Sequence, residues 1–297
     1  MSSPSATSSS EDSPTCRSPD PAPRPAGFTP PKLACDCHAH IIGPPASYPM
    51  VTPRSYTPPP ASLVSYQAML QTLGIQRGVI VQPSFYGFDN RCTREALRAA
   101  PDAFRGVAVI PPDVSAKELA ELHADGFRGA RVNLLFLGGS SLESLDALAS
   151  RIAHLGWHLQ FLMDIATLPA LQGRIEALPC DVVFDHLGHF QPSGPGSTEG
   201  FAALERLMDN GRTWVKLSGG YRLSTQQTPY PDLRSFAQRL VQRRPDRLVW
   251  GSDWPHTAFE GDMPNDGALL DTLAHWVPDE TTRNQILVDN PARLYGF

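Results

Sequence analysis

From Leu33 onward, short apolar runs alternate with stretches whose apolar residues recur at helical spacing. The runs cover Leu33 to Cys37, Gly78 to Gln82, Phe104 to Ile110, Gly129 to Asn133, His158 to Met163, Asp181 to Phe184, Trp214 to Leu217 and Arg247 to Trp250. Their length suits buried strands. Between them the period changes. Leu63, Tyr66, Leu70 and Leu73 form one stripe closed by Gly74, and Leu142, Leu145, Leu148, Ile152 and Leu155 form another ended by Gly156. Ser115 followed by Glu118 is a capping-box start for a helix that stops before Gly126. Eight strand–helix beats in 297 residues predict an α/β fold of the (β/α)8 TIM-barrel type. An open doubly wound sheet is the competing arrangement, but no G-x-G-x-x-G turn follows a strand.

Residues 1–31 are rich in Ser and Pro and almost free of large apolar side chains, which predicts a disordered tail ahead of a single barrel over 32–297. Half of the 30 prolines precede Ala61, so residues 43–60 are expected to form a long loop after the first strand. Apolar residues make up 41% of the chain, enough for a sizeable core. The formal net charge of −5 and the scattered basic residues argue against nucleic acid or an anionic membrane as partner. No apolar stretch reaches spanning length and no signal core opens the chain. Five cysteines without framework spacing fit reduced thiols in a cytoplasmic enzyme. Oligomeric state is not legible.

A barrel presents its active site at the C-terminal ends of its strands, so polar residues directly after apolar runs are the candidates. The first run ends Asp36-Cys37-His38-Ala39-His40. Strict alternation turns Asp36, His38 and His40 to one face and sends Cys35 and Cys37 to the other, against the outer helices. The sixth ends Asp185-His186-Leu187-Gly188-His189, and the eighth ends Ser252-Asp253-Trp254-Pro255-His256. His38, His40, His186 and Asp253 are therefore expected to converge as the catalytic set. Read alone, Asp253 also suits a helix N-cap, and His256 suits loop structure behind the site.

These segments resemble the amidohydrolase superfamily of the amidohydrolase 2 type, in its branch containing 2-pyrone-4,6-dicarboxylate lactonase. The resemblance rests on D-x-H-x-H, D-H-L-G-H, G-S-D-W-P-H and the closing Asn290-Pro291-Ala292-Arg293-Leu294-Tyr295. Gln82-Pro83-Ser84-Phe85-Tyr86-Gly87 and Phe127 to Asn133 add to it. It implies a lactone hydrolase in aromatic-compound or sugar-acid catabolism, with Asp253 as base and His38, His40 and His186 around the carbonyl oxygen. It further implies Arg131, Arg222, Ser84, Tyr56 and His189 as substrate-facing residues. The member acting on the dicarboxylated pyrone has two further arginines where this chain has Leu137 and His189, and a strand-five tyrosine where it has Met163. The expected substrate is thus a small anionic lactone with one carboxylate or a differently placed second anion.

Metal-dependent relatives add a lysine or glutamate from strand four and a histidine from strand five. Here strand four offers Arg131 and Asn133, His158 lies at the wrong end of strand five, and Asp164 is a lone substitute near the mouth. The expectation is metal-independent catalysis with no cofactor, while weak Zn²⁺ binding at His38, His40 and Asp253 stays open. A Zn-dependent decarboxylase or hydratase, or a lactone isomerase, are the alternative activities.

Overall fold

A computed structural model of the chain describes residues 13–137 and 142–297. Strands β1 (Cys35–Ala39), β2 (Arg77–Val81), β3 (Phe104–Ala108), β4 (Phe127–Asn133), β5 (His158–Leu162), β6 (Val182–Phe184), β7 (Thr213–Leu217) and β8 (Leu248–Trp250) form one sheet in sequence order. Every neighbouring pair is parallel. The crossovers are α1 (Leu63–Leu73), α2 (Arg91–Ala99), α3 (Ala116–Ala124), α4 (Leu145–Ile152), α5 (Leu168–Glu176), α6 (Ser197–Met208), α7 (Pro231–Arg243) and α8 (Asp266–Trp276). This is the (β/α)8 barrel that the alternating pattern predicts. The sequence signals act where expected: Ser115 Oγ accepts the Glu118 N–H at 3.1 Å, and Gly74 and Gly156 end their helices at φ 74 and 66.

Two apolar layers hold the barrel. Strand residues such as Ile80, Phe127, Val132, Leu159, Phe184 and Leu217 pack outward against the helical stripes. Inside, Val79, Val81, Val107, Val183, Trp214 and Val249 form a second cluster closed below by Leu294 and Tyr295. Phe297 packs against that plug, with the Arg77 and Arg105 guanidiniums 5.0 and 4.8 Å from its ring centre.

Cys35 and Cys37 belong to the inner cluster, which corrects the expectation that they face the helices. Asp36 points outward instead, accepting hydrogen bonds from Tyr66 Oη on α1 at 3.1 Å and Ser252 Oγ at 2.5 Å. The cause is a register shift in β1. Asp36 pairs with Gly78 and Ala39 with Ile80, so β1 spends one more residue than β2 over this stretch. The extra residue lets Cys37 and His38 both face inward. The D-x-H-x-H trio is therefore split.

The expected tail also divides. Residues 1–12 lie outside the described residues, while 13–31 run along the barrel. The Cys16 N–H donates to Thr57 O at 2.9 Å and the Thr57 N–H to Pro14 O at 2.8 Å. Arg24 pairs with Asp271 at 2.7 Å, and the Arg283 guanidinium sits 4.8 Å from the Phe28 ring centre. Composition records the scarcity of apolar anchors here but not this backbone pairing.

Candidate active site

The seam that closes the barrel also assembles the site. An isolated parallel bridge of Ala39 with Trp254 joins β1 to the loop after β8: the Asp253 N–H donates to His38 O at 2.8 Å and the His40 N–H to Trp254 O at 2.8 Å. These two bonds lay the first strand's histidines beside the aspartate of the last. His38 Nε2 and His40 Nε2 lie 3.7 and 3.9 Å from Asp253 Oδ1, and His186 Nε2 lies 3.7 Å from Oδ2. All four expected catalytic residues meet, and all are buried.

Their second atoms are held from behind. His40 Nδ1 donates to the Val81 carbonyl at 2.7 Å, and His186 Nδ1 meets Ser218 Oγ at 2.9 Å. His186 opens a left-handed run, with φ of 49, 52, 71 and 57 from His186 to His189. Non-glycine residues there cost about 1–3 kcal/mol each, so the surrounding packing must hold the turn. Asp253, at φ 68, shares that strain.

Burial sets the charge state of the imidazoles. It pushes His40 down to about 3 and His186 down to about 4. Burial, helped by the Lys216 cation, takes His38 well below the usual range. Burial alone would raise the Asp253 carboxyl, but the Arg222 guanidinium and the three imidazoles outweigh it and hold it well below the carboxylate range. Asp253 Oδ2 accepts from Arg222 Nε and from Tyr221 Oη, both at 2.6 Å.

Beneath His38 lies a buried ionic layer that was not singled out from the sequence. Asp185 Oδ1 is 3.2 Å from Lys216 Nζ and 3.2 Å from His38 Nδ1, while Oδ2 is 3.4 Å from Arg131 and 3.0 Å from Gln160 Nε2. The signal was legible in Trp214-Val215-Lys216-Leu217: a lysine inside a buried strand requires a carboxylate, and Asp185 opens the D-H-L-G-H segment.

Arg131, Arg222, Tyr56, His186, His189, His40 and Asp253 line one cavity of about 310 Å³, counted to its open side, with Phe136, Leu162 and Thr257. Ser84 is buried and is not part of that lining, while the Tyr56 hydroxyl accepts from Thr257 Oγ1 at 3.4 Å. Asp164 is turned away, exposed and accepting the Ala166 N–H at 2.9 Å. His256 is buried behind the site, 3.2 Å from both Tyr221 Oη and Asp266. Tyr56 and Phe136 separate the cavity from an outer chamber of about 480 Å³, counted in the same way and walled by Pro14, Cys16, Phe259 and Glu260. Two groups bring ligand atoms within 4.8 Å of one another, His38–His40–Asp253 and His38–Asp185–His186, and these are the described sets able to hold a metal.

A family model described as amidohydrolase matches residues 35–297. The chain belongs to the amidohydrolase family. This amidohydrolase is 37% identical over 279 residues to the 2-pyrone-4,6-dicarboxylate hydrolase of Comamonas testosteroni, covering 90% of this chain and 92% of that one. It is 35% identical over 288 residues to the 4-sulfomuconolactone hydrolase of Rhizobium radiobacter, covering 95% and 96%. An apo crystal structure of an Agrobacterium tumefaciens protein superposes with a TM-score of 0.82 at 31% identity, covering 92% of this chain and 98% of that one. No helix among the described residues is long and apolar enough to cross a membrane.

Proposed function

We propose that this amidohydrolase opens a small carboxylated lactone by attack of water, without a metal ion. The observation that carries this reading is the ring of three Nε2 atoms around one ionised aspartate. Because His40 gives its Nδ1 hydrogen to Val81, a neutral His40 presents a lone pair at Nε2. That atom and Asp253 Oδ1 are 3.9 Å apart, a span that one water bridges with a hydrogen bond of about 2.8 Å to each. Such a water keeps a lone pair for the lactone carbonyl. Here the role of His40 departs from the oxyanion-donor role expected from the sequence, since its only N–H is engaged elsewhere.

Asp253 takes the water proton as the new C–O bond forms. His38 and His186 stabilise the oxyanion. As the tetrahedral intermediate collapses, the ring C–O bond breaks and the leaving oxygen takes the proton that Asp253 holds. Arg131 and Arg222 give the cavity the charge to receive one carboxylate. Leu137 and His189 supply no further guanidinium, and Glu260 in the outer chamber repels a further anion. A monocarboxylated lactone fits best.

The donor set argues against a resident metal. Asp253 Oδ2 is engaged by Arg222 and Tyr221, and Arg131 lines the same cavity, so a divalent cation would face two guanidiniums. The second ligand group is already neutralised by Lys216 and Arg131. Five unpaired cysteines support a reducing compartment, which we take to be the cytoplasm.

A pH-indicator screen of monoanionic, dianionic and neutral lactones tests the activity. Acid release with a monocarboxylated lactone, ¹⁸O from solvent in the product, and turnover that survives chelators are expected. Product without ¹⁸O would establish isomerisation instead. Turnover abolished by chelation and restored by Zn²⁺ would overturn the metal-free mechanism.

A further inference from the structure

Lys216 takes no part in the chemistry above, yet it is fully buried in the middle of β7, directly under His38. Its ammonium has two hydrogen-bond partners, Gln160 Oε1 at 2.8 Å and His38 Nδ1 at 3.1 Å, and pairs ionically with Asp185 Oδ1 at 3.2 Å. An ammonium can only donate. His38 Nδ1 must then be an acceptor, and the hydrogen of the neutral ring resides on Nε2. Asp185 Oδ1 is 3.2 Å from the same Nδ1 and competes for the opposite arrangement, but it forms no hydrogen bond of acceptable geometry there. Were Nδ1 to carry the hydrogen, two N–H groups would face each other across 3.1 Å and a buried ammonium hydrogen would be left unmatched.

Nε2, at the other side of the ring, has no hydrogen-bond partner and is buried. It faces Asp253 Oδ1 at 3.7 Å, too far for a hydrogen bond, and Asp253 itself lines the cavity. A buried donor without an acceptor is costly unless its partner arrives with the substrate.

We propose that Lys216 is a positioning residue that fixes the tautomer of His38, so that Nε2–H is presented to the oxyanion. His38, just beneath the cavity lining, and His40, within it, would then turn opposite edges toward Asp253, one donor and one acceptor. The difference comes from their backing groups: a lysine ammonium behind the first and a backbone carbonyl behind the second. The catalytic consequence rests on the lactone-hydrolase reading, whereas the tautomer assignment does not.

Long-range ¹H–¹⁵N correlation spectra of the full-length protein labelled with ¹⁵N-histidine test it directly. His38, assigned through the signal lost in His38→Gln, is expected to show Nε2–H in the native protein. In Lys216→Met the carboxylate of Asp185 becomes the remaining partner of Nδ1, and the signal is expected to switch to Nδ1–H. On a lactone that the native enzyme opens, Lys216→Met should lower kcat about 10²- to 10³-fold, the effect of losing one oxyanion donor, with KM changed only a few-fold. Nδ1–H in the native spectrum overturns the proposal even if Lys216→Met fails to fold. So does retention of Nε2–H in that variant. Native Nε2–H that switches as expected, in a protein that opens no lactone, would uphold the assignment while defeating the lactonase reading.

Discussion

Arg222 Nε lies 2.6 Å from Asp253 Oδ2, so a residue expected to grip the substrate carboxylate already holds the aspartate proposed as the base. Held this way, Asp253 is reliably ionised but a weak base, because its carboxyl is kept well below the usual range by that guanidinium and the imidazoles. On the proposed mechanism, a substrate carboxylate entering the cavity would compete for Arg222 and leave Asp253 more basic, linking binding to activation of the base. Removing the cation with Arg222→Met raises the Asp253 pKa, so the acid limb of kcat/KM moves to higher pH. The KM for an anionic lactone should rise by 10-fold or more, the worth of a charged hydrogen bond of about 1.5–3 kcal/mol. A pH–rate profile checks both, and an unmoved acid limb would detach Arg222 from the base.

Asp36 tests the shifted register of β1. Its carboxylate accepts from Ser252 Oγ and from the Ser252 N–H, at 2.5 and 2.8 Å, and so ties the outer side of β1 to the loop carrying Asp253. Ser252→Ala should cost about 1.5–3 kcal/mol of stability through a lost charged hydrogen bond. The drop in kcat should stay within about 10-fold, because neither residue lines the cavity. Urea midpoints and steady-state kinetics read the two effects. Large loss of kcat without loss of stability would place Asp36 among the reacting groups.

His158 sits at the closed end of the barrel, its ring centre 5.3 Å from that of Tyr295, and burial next to Lys216 pushes it down to about 3. In the unfolded chain it titrates near 6.5. Between these values the unfolded state binds the extra proton, so stability is fully present above pH 6.5 and drains away as pH falls towards 3. At pH 5 the loss is about 2 kcal/mol from this one side chain. His158→Met should shrink the stability difference between pH 7 and pH 5 by about that amount, measured by urea unfolding. An unchanged difference would show that His158 is not the group responsible.

The barrel was legible because its strands are short apolar runs alternating with helical stripes, two of which end at glycines in the left-handed region. Asp253, His186 and the two histidines of β1 were legible because barrel strands deliver their last residues to one mouth. The facing of Asp36, Cys35 and Cys37 was not. Alternation assumes a regular register, and a single extra residue between Asp36 and Ala39 reverses it. Nor was the pairing of Arg222 with Asp253 visible, since both were read as facing substrate and only closure of the seam between β1 and the last loop makes them neighbours. Asp185 was hidden in a motif chosen for its histidines, and Lys216 in a strand read only for its apolar run.

The most direct measurement is the turnover of Asp253→Asn on a lactone that the native enzyme opens, with folding confirmed by urea unfolding. The amide keeps the shape but cannot accept the water proton. A fall in kcat of at least about 10³-fold is expected, with KM within a few-fold of native. Turnover within 10-fold of native would contradict the account, because the water would then be activated by something other than the aspartate at the centre of the three imidazoles.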